Sequence, residues 1–192
     1  MGIGKNRKKF LLKEVLTEEN ESQEEITIYS LEEGVIKNIN NKVTWAEIID
    51  KFKMNKDIKR SKYLAINFIT PTRIKYQDEF ISVPEFHIII RSLMRRISNL
   101  SYFHCGETLN INFDYLINQA TKIKIDKISI NWVEWERFSF IQERRMKFGG
   151  FVGEVIYKGD LSKFLPFLIL GEYIHVGKGA SFGLGLYKIM PK

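Results

Sequence analysis

Residues 63–100 read YLAINFITPTRIKYQDEFISVPEFHIIIRSLMRRISNL, and two patterns in them decide the fold. Residues 63–69 form a nearly continuous apolar run that ends at Thr70-Pro71, which is typical of a buried central strand. Residues 84–100 begin with a proline and carry apolar residues at helical spacing, so they are predicted to form an amphipathic helix. The polar flank of that helix is basic and carries Arg91, Arg95 and Arg96.

The chain beyond this helix continues the alternation of strands and helices. Apolar patterns and turn signals predict a short helix at 113–121, a strand at 123–132, a strand at 146–157 that pairs with it, a helix at 161–172 and a strand at 184–189. A slip in the apolar alternation near Asp126 predicts a bulge, and Gly171 is expected to end the last helix. The order β-α-β-β-α-β predicts an α+β, ferredoxin-like (RRM-like) fold, in which an antiparallel sheet carries two helices on one face.

We expect the chain to have two parts. Residues 59–192 are predicted to form the ferredoxin-like domain, and residues 1–58 a smaller, mostly β segment. Within that segment Thr44 precedes Glu47 by three residues, which predicts a capping box for a helix over residues 44–52.

Aromatic residues near the middle of the chain are candidates for stacking on nucleic-acid bases. The sheet face opposite the helices is open in this fold, and RNA-recognition domains bind bases there with exposed aromatic rings. The candidates for that face are Trp132, Trp135, Phe138 and Phe140. The alternative is that these side chains pack beneath the N-terminal segment.

Composition limits the classes of partner and compartment. The formal net charge is +7, and residues 34–192 carry 25 basic and 15 acidic side chains, an excess that suits a polyanion such as nucleic acid as well as simple solubility. No run approaches the roughly 18 apolar residues of a membrane span, so we expect no membrane partner. The single cysteine, Cys105, has no internal partner, and no signal peptide pattern is present, which favours a cytoplasmic location.

The glycine-rich stretch near the C-terminus carries the clearest binding signal. Residues 175–187 read HVGKGASFGLGLY and contain Gly177, Gly179, Gly183 and Gly185. Glycines let backbone N–H groups approach phosphate oxygens closely, while Lys178 adds a charge and Ser181 a hydroxyl. The spacing fits neither a Walker A loop nor a dinucleotide-binding fingerprint. The alternative is that the glycines only avoid clashes where the loop crosses a helix.

Four segments of the chain together resemble one known family. They are FITPTRI at 68–74, RSLMRRISNL at 91–100, GGFVGEV at 149–155 and LGEYIHVGKGASFGLG at 170–185. This combination is similar to the Cas6 family of CRISPR-associated endoribonucleases, within the RAMP superfamily. In many family members the catalytic histidine lies in the N-terminal half. The resemblance implies that this chain lacks most of that half and is the C-terminal portion of such a protein. Residues 1–58 are then the remnant of a preceding ferredoxin-like domain.

The resemblance implies that the chain cleaves CRISPR repeat RNA, the precursor of crRNA, without a metal or other cofactor. The ribose 2′-oxygen attacks the adjacent phosphate and leaves a 2′,3′-cyclic phosphate and a 5′-hydroxyl, which requires a base, an acid and stabilising cations. His175 beside the glycine loop is the first candidate for proton transfer and His104 the second, because imidazole exchanges protons near neutral pH. His87 is expected to be structural. The three histidines stand far apart in the sequence, which agrees with the absence of a metal.

RNA backbone contacts are expected from the glycine loop and from cations near it. The loop residues are Gly177, Lys178, Gly179, Ser181, Gly183 and Gly185, and the further cations are Arg73, Arg144, Arg145 and Lys147. For Arg91, Arg95 and Arg96, contact with RNA and a solvated helix flank are equally good interpretations.

Two other interpretations stay open. The first is a non-catalytic RNA-binding module or structural subunit of a CRISPR effector complex, with other effector subunits as partners; a homodimer is among the assemblies that the sequence allows. The second is a ferredoxin-like domain that binds a protein or a small molecule. A steep loss of affinity with salt would favour RNA over both of those ligands.

Overall fold

The structure is a computed structural model that describes residues 2–3, 8–9, 11–18, 25–39, 43–54, 61–134, 136–139 and 144–192. Contacts between residues divide it into two compact units, Met1–Glu47 and Ile48–Lys192. The domain boundary predicted at residues 58 and 59 lies outside the described residues.

The smaller unit is mostly β, as predicted. Its strands are β1 (Gly2–Ile3), β2 (Lys8–Lys9), β3 (Glu14–Glu18), β4 (Glu25–Ser30) and β5 (Val35–Ile36). Strands β1 and β2 pair with each other, and β3, β4 and β5 form an antiparallel sheet in that order.

Helix α1 (Trp45–Met54) begins with the predicted capping box. The backbone N–H of Thr44 donates to Glu47 Oε2 at 2.7 Å, and the N–H of Glu47 donates to Thr44 Oγ1 at 3.3 Å. These two bonds satisfy donors that the start of any helix leaves without an intrahelical acceptor.

The larger unit contains the predicted alternation of strands and helices. Its elements in chain order are β6 (Tyr63–Thr72), β7 (Lys75–Tyr76), β8 (Glu79–Phe80), α2 (Phe86–Leu100), a π-helical turn (Ser101–Cys105), α3 (Phe113–Ala120), β9 (Lys124–Val133), β10 (Glu136–Ser139), β11 (Arg144–Lys147), β12 (Gly150–Lys158), α4 (Leu165–Ile174), a 3₁₀ turn (Ala180–Phe182) and β13 (Tyr187–Pro191).

Four of these strands form an antiparallel sheet in the order β13-β6-β12-β9. Helix α2 lies between β6 and β9 along the chain, and α4 lies between β12 and β13, so the two halves of the fold interleave in the sheet. The fold is therefore α+β and ferredoxin-like, as predicted. The predicted bulge is also present: Ile156 pairs with Lys127 and Tyr157 with Ile125, which leaves Asp126 as the extra residue.

One apolar cluster holds the sheet and both helices together. It includes Leu64, Ile66 and Phe68 of β6, which lie on one face of the strand because they alternate in sequence. Helix α2 adds side chains such as Ile90 and Leu93, both 0% exposed. The face of α2 that bears its arginines is thereby turned away from the core.

The last helix differs from its prediction. We expected it over residues 161–172 with an end at Gly171, whereas α4 begins at Leu165 and continues to Ile174. Gly171 lies inside the helix. A glycine is needed there because a side chain would collide with the hydroxyl of Tyr187, which donates to Leu168 O at 2.7 Å. Here glycine serves helix-to-strand packing and does not terminate the helix.

Two strand predictions also need correction. The last strand was predicted over residues 184–189, but a 3₁₀ turn and glycines with positive φ occupy the chain up to β13. The strand predicted over residues 146–157 is divided, because β11 pairs with β10 in a separate hairpin and only β12 pairs with β9.

The open-face stacking hypothesis is wrong for Trp132. This residue pairs with Phe151, whose buried ring packs on the core residue Phe68, so Trp132 lies on the core side of the sheet. Its Nε1 donates to Glu134 Oε1 at 2.6 Å. Trp135 and Phe140 lie outside the described residues, as does the side chain of Phe138.

Candidate nucleic-acid interface

A cavity of about 640 Å³ opens beside α2 in the larger unit. Its walls come from β7, the turn between β7 and β8, α2, the π-helical turn and the start of the glycine-rich loop. The lysine, arginine, histidine and carboxylate residues that line it are Lys75, Asp78, Arg91, Arg95, Arg96, His104 and Lys178.

The cavity is strongly cationic. Asp78, the one carboxylate among the described lining residues, forms an ion pair with Lys75 at 2.8 Å. The hydrogen bond from Lys75 lowers the pKa of Asp78, so this pair is neutral overall. Within the part of the chain that the structure describes, the other four cations, Arg91, Arg95, Arg96 and Lys178, form no ion pair with a carboxylate. Four positive charges therefore face the same space without an internal counter-charge.

Helix α2 positions three of these charges by its periodicity. Arg91 and Arg95 are four residues apart and fall on one face, and Arg96 follows directly. Like charges at this spacing cost an isolated helix roughly 0.2–0.5 kcal/mol per pair. A bound anion would remove that cost, since each guanidinium presents several N–H donors to phosphate oxygens.

Arg96 is tied to the end of α4. Its Nε donates to the backbone carbonyl of Ile174, an orphan carbonyl of the last helical turn. Partial burial lowers the pKa of Arg96, yet an arginine stays charged at neutral pH in proteins. Arg96 thus both joins α2 to α4 and adds charge to the cavity.

The first part of the glycine-rich loop is held against the end of β6. Gly177 has φ 85°, and a β-carbon there would lie 2.6 Å from the carbonyl oxygen of Arg73. The N–H of Lys178 donates to that same oxygen at 2.8 Å. This close approach places Gly177 and Lys178 in the wall of the cavity.

The remaining loop residues lie outside that wall. The N–H groups of Gly183 and Gly185 donate to the carbonyls of Ala180 and Pro71, so these two donors already serve the loop itself. Gly179 has φ 80° and Ser181 is exposed. For all four, contact with RNA stays a prediction, and the structure gives the glycines a role in shaping the loop.

His175, the first candidate for proton transfer, ends α4 and does not line the cavity. Its Nδ1 lies 3.0 Å from the carbonyl oxygen of Leu184 and must be the donor, because a carbonyl can only accept. Nε2 of the neutral ring then carries the lone pair. The backbone has φ 65° and ψ 170°, a region that non-glycine residues rarely adopt and that is often found at functional sites.

His104, the second candidate, is exposed in the π-helical turn and lines the cavity. It is the imidazole nearest to the unpaired cations among the described cavity residues. His87 contacts Glu85 and packs edge-on against the ring of Tyr76, an environment in keeping with the structural role expected for it.

Of the other predicted RNA contacts, the structure describes the side chain of Arg73 alone. The guanidinium of Arg73 lies 3.7 Å from the centre of the Phe80 ring, a cation–π contact that directs it toward β8. The described residues of β11 include Arg144, Arg145 and Lys147, but the structure does not describe their side chains.

Two negative findings concern only the described residues. No group of three or more His, Cys, Asp or Glu side chains there is arranged to hold a metal ion. None of the helices there combines the length and the apolar character that a membrane crossing requires.

Sequence reasoning missed part of the cavity. Lys75 and Tyr76 were not singled out, although the guanidinium carbon of Arg91 lies 5.9 Å from the centre of the Tyr76 ring. The available signal was the spacing of Arg91 and Arg95, which predicts a single charged face but not what lies opposite it.

Solved structures share this fold at low sequence identity. Thermus thermophilus Cas6 (TTHB231) matches with a TM-score of 0.54 and 15% identity over 77% of this chain and 58% of its own. Cas6 (TTHA0078), in a product complex, matches with a TM-score of 0.50 and 20% identity over 77% of this chain and 56% of its own. A partial Cas6-RT-Cas1–Cas2 complex matches with a TM-score of 0.54 and 14% identity over 83% of this chain and 29% of its own.

This chain spans little more than half the length of the first two structures. No curated protein matches its sequence. The family model described as CRISPR-associated endoribonuclease Cas6 matches residues 66–187, from the first strand of the ferredoxin-like sheet to the last. With the fold, the glycine-rich loop and the basic cavity all inside or beside that range, the chain belongs to the Cas6 family of CRISPR-associated endoribonucleases.

Proposed function

We propose that this chain binds CRISPR repeat RNA in the basic cavity and takes part in processing the precursor that contains those repeats. The observation that carries the proposal is the set of four cations, Arg91, Arg95, Arg96 and Lys178, around one cavity, with no counter-charge supplied by the residues that the structure describes. Phosphates would supply the missing negative charge, and binding would release the counterions that surround the free RNA. Membership of the Cas6 family supports the same ligand, and so does the solved product complex of Cas6 (TTHA0078), which has this fold.

The reaction we propose is a metal-independent transesterification. The ribose 2′-oxygen forms a bond to the adjacent phosphorus and gives up its proton to a base, while the bond from phosphorus to the 5′-oxygen breaks and that oxygen receives a proton from an acid. The products are a 2′,3′-cyclic phosphate and a 5′-hydroxyl. The cavity cations would stabilise the additional negative charge that develops on the phosphorane oxygens.

Two imidazoles are available for the proton transfers. His104 lines the cavity, and the Nδ1 bond of His175 leaves its Nε2 free of that bond. Removal of a positioned acid or base costs roughly 100- to 10,000-fold in rate. We therefore expect His104→Ala or His175→Ala to reduce cleavage by at least about 100-fold while RNA affinity changes little.

The test is a cleavage assay of repeat RNA in excess chelator with three proteins: the wild type, His104→Ala and His175→Ala. Cleavage by the wild type with 2′,3′-cyclic phosphate ends, lost in one variant, supports the proposal. Cleavage that needs added Mg²⁺ contradicts the mechanism, and cleavage at the wild-type rate by both variants contradicts the assignment of the histidines.

A second candidate function is RNA binding without cleavage by this chain. It is favoured by the position of His175, which lies outside the cavity wall, so that only His104 adjoins the cations among the described imidazoles. In that case the wild type would bind repeat RNA tightly at low salt and leave it intact in the same assay.

A further inference from the structure

Two aromatic rings stand exposed beside the basic cavity. Tyr102 is 58% and Phe103 is 74% exposed, and the rings contact each other with centroids 5.2 Å apart and planes at 82°. Phe103 lines the cavity, as do Arg95 and Asn99. A large apolar ring in such a position is covered by water in the free protein, and it offers a flat surface to a ligand held by the neighbouring cations.

The π-helical turn holds this pair outside the core. Gly106 and Glu107 both donate their N–H groups to the carbonyl of Ser101, and Ser101 Oγ donates to the carbonyl of Glu107 at 2.9 Å. Gly106 then ends the turn with φ 70°. The wider turn breaks the α-helical repeat after α2, so the rings do not continue the buried face that ends at Ile97.

We propose that Phe103 is a stacking platform for one unpaired base of the RNA, an inference that rests on the proposed function. Arginines and aromatic rings side by side are what single-stranded nucleic acid requires, because the cations follow the phosphates while a ring takes the face of a base. Tyr102 packs against Phe103 and restricts its movement. The exposed amide of Asn99 carries a donor and an acceptor within the same wall, where the edge of that base would lie. The ligand is thus an RNA with an unpaired nucleotide at this site, and a continuous duplex would not fill it.

The test measures the affinity of repeat-derived RNA for the wild type, Phe103→Ala and Phe103→Trp. Loss of one stacked base by alanine substitution weakens binding roughly 5- to 150-fold, and we expect a loss in that range for Phe103→Ala with recovery in Phe103→Trp. Tyr173→Ala is the matched control, since Tyr173 is 47% exposed on α4 and does not line the cavity. Because Phe103 is exposed, the alanine variant should retain the thermal stability of the wild type.

An abasic nucleotide placed in turn at each unpaired position of the RNA makes the test specific for stacking. At one position, removal of the base should weaken binding to the wild type by the same factor as the Phe103→Ala substitution does. The same abasic RNA should bind the Phe103→Ala variant no more weakly than the intact RNA does. A Phe103→Ala loss that is equal for every abasic RNA would overturn the inference, since the ring would then act on the protein structure.

Failure of this inference is distinguishable from failure of the proposed function. If Phe103→Ala binds as tightly as the wild type while affinity still falls with salt, the stacking platform is wrong and the basic cavity stands; the exposed pair would then suit a protein surface. If the wild type itself shows no salt-dependent affinity for RNA, both proposals fail together.

Discussion

At the scale of single residues, His175 combines a functional prediction with an unusual backbone. Its φ of 65° and ψ of 170° cost a non-glycine residue roughly 1–3 kcal/mol, and the bond from Nδ1 to Leu184 offsets only part of that cost. Sequence could identify the histidine at the start of the loop but not its conformation, because that conformation depends on contacts with Leu184 and Gly185 near the end of the loop.

We predict that His175→Gly is more stable than His175→Ala. Both variants lose the side-chain hydrogen bond, but the positive φ strains only alanine, since glycine has no β-carbon. The glycine variant should therefore have the higher free energy of unfolding by about 1–2 kcal/mol, after its greater entropy in the unfolded chain is counted. Denaturant unfolding of the pair measures this difference directly. Equal stabilities, or a more stable alanine variant, would mean that the backbone at residue 175 is not strained.

Glycines of the loop should respond to substitution according to their surroundings. A β-carbon at Gly185 would collide with the carbonyl oxygen of Val176, whereas one at Gly183 would meet no atom within 4 Å, although both residues have a positive φ. Gly185→Ala should therefore cost about 2–5 kcal/mol, the sum of conformational strain and overlap.

Gly183→Ala serves as the matched variant, because it carries only the left-handed cost of about 1–2 kcal/mol. Thermal unfolding of the two proteins under identical conditions should separate them clearly. Similar unfolding temperatures would show that the loop does not cross as close to Val176 as described.

At the scale of elements, the sequence predicted features that depend on local contacts correctly and features that depend on tertiary contacts incorrectly. The capping box at Thr44 and the bulge at Asp126 were predicted because each depends on residues close together in the chain or in one strand pair. Gly171 was misassigned because its reason lies in Tyr187, a residue of a different element. The exposed pair at residues 102 and 103 gave no signal, since an aromatic residue after a helix is more often buried.

One partly buried carboxylate should control the attachment of β13 to α4. Glu172 Oε1 accepts from the N–H of Ile189 at 2.6 Å, and Oε2 lies 3.5 Å from Lys188 Nζ. Glu172→Ala leaves that N–H without its acceptor and should cost roughly 1.5–3 kcal/mol.

Glu172→Gln keeps an acceptor oxygen and should cost less than the alanine variant. Hydrogen exchange at the Ile189 amide is the specific readout, because it should accelerate strongly in Glu172→Ala and only slightly in Glu172→Gln. Unchanged exchange in the alanine variant would argue against this connection between helix and strand.

At the scale of the whole molecule, the ferredoxin-like fold was predictable and the cavity was not. The fold follows from the periodicity of residues 63–189, which each element displays by itself. The cavity brings together Lys75, the α2 arginines and Lys178, which are distant in sequence and meet only because β6 lies beside β13 and α2 packs near α4. The net positive charge of the sequence fitted an anionic partner and simple solubility equally well, and only the arrangement of strands gives that charge a location.

The central claim is that these cavity cations bind RNA, and the salt dependence of affinity tests it most directly. Affinity for a repeat-derived RNA should be measured from about 50 to 200 mM salt for the wild type, for Arg91→Gln/Arg95→Gln and for Lys124→Gln/Lys127→Gln. The second double variant removes the same charge from exposed residues of β9 outside the cavity.

We predict that the arginine variant binds more weakly and that the slope of log affinity against log salt falls in magnitude by about 0.7 for each lost phosphate contact, while the β9 variant stays close to the wild type. Equal slopes and affinities for all three proteins, or equal losses in the two double variants, would contradict the account, since the basic cavity would then have no specific part in binding RNA.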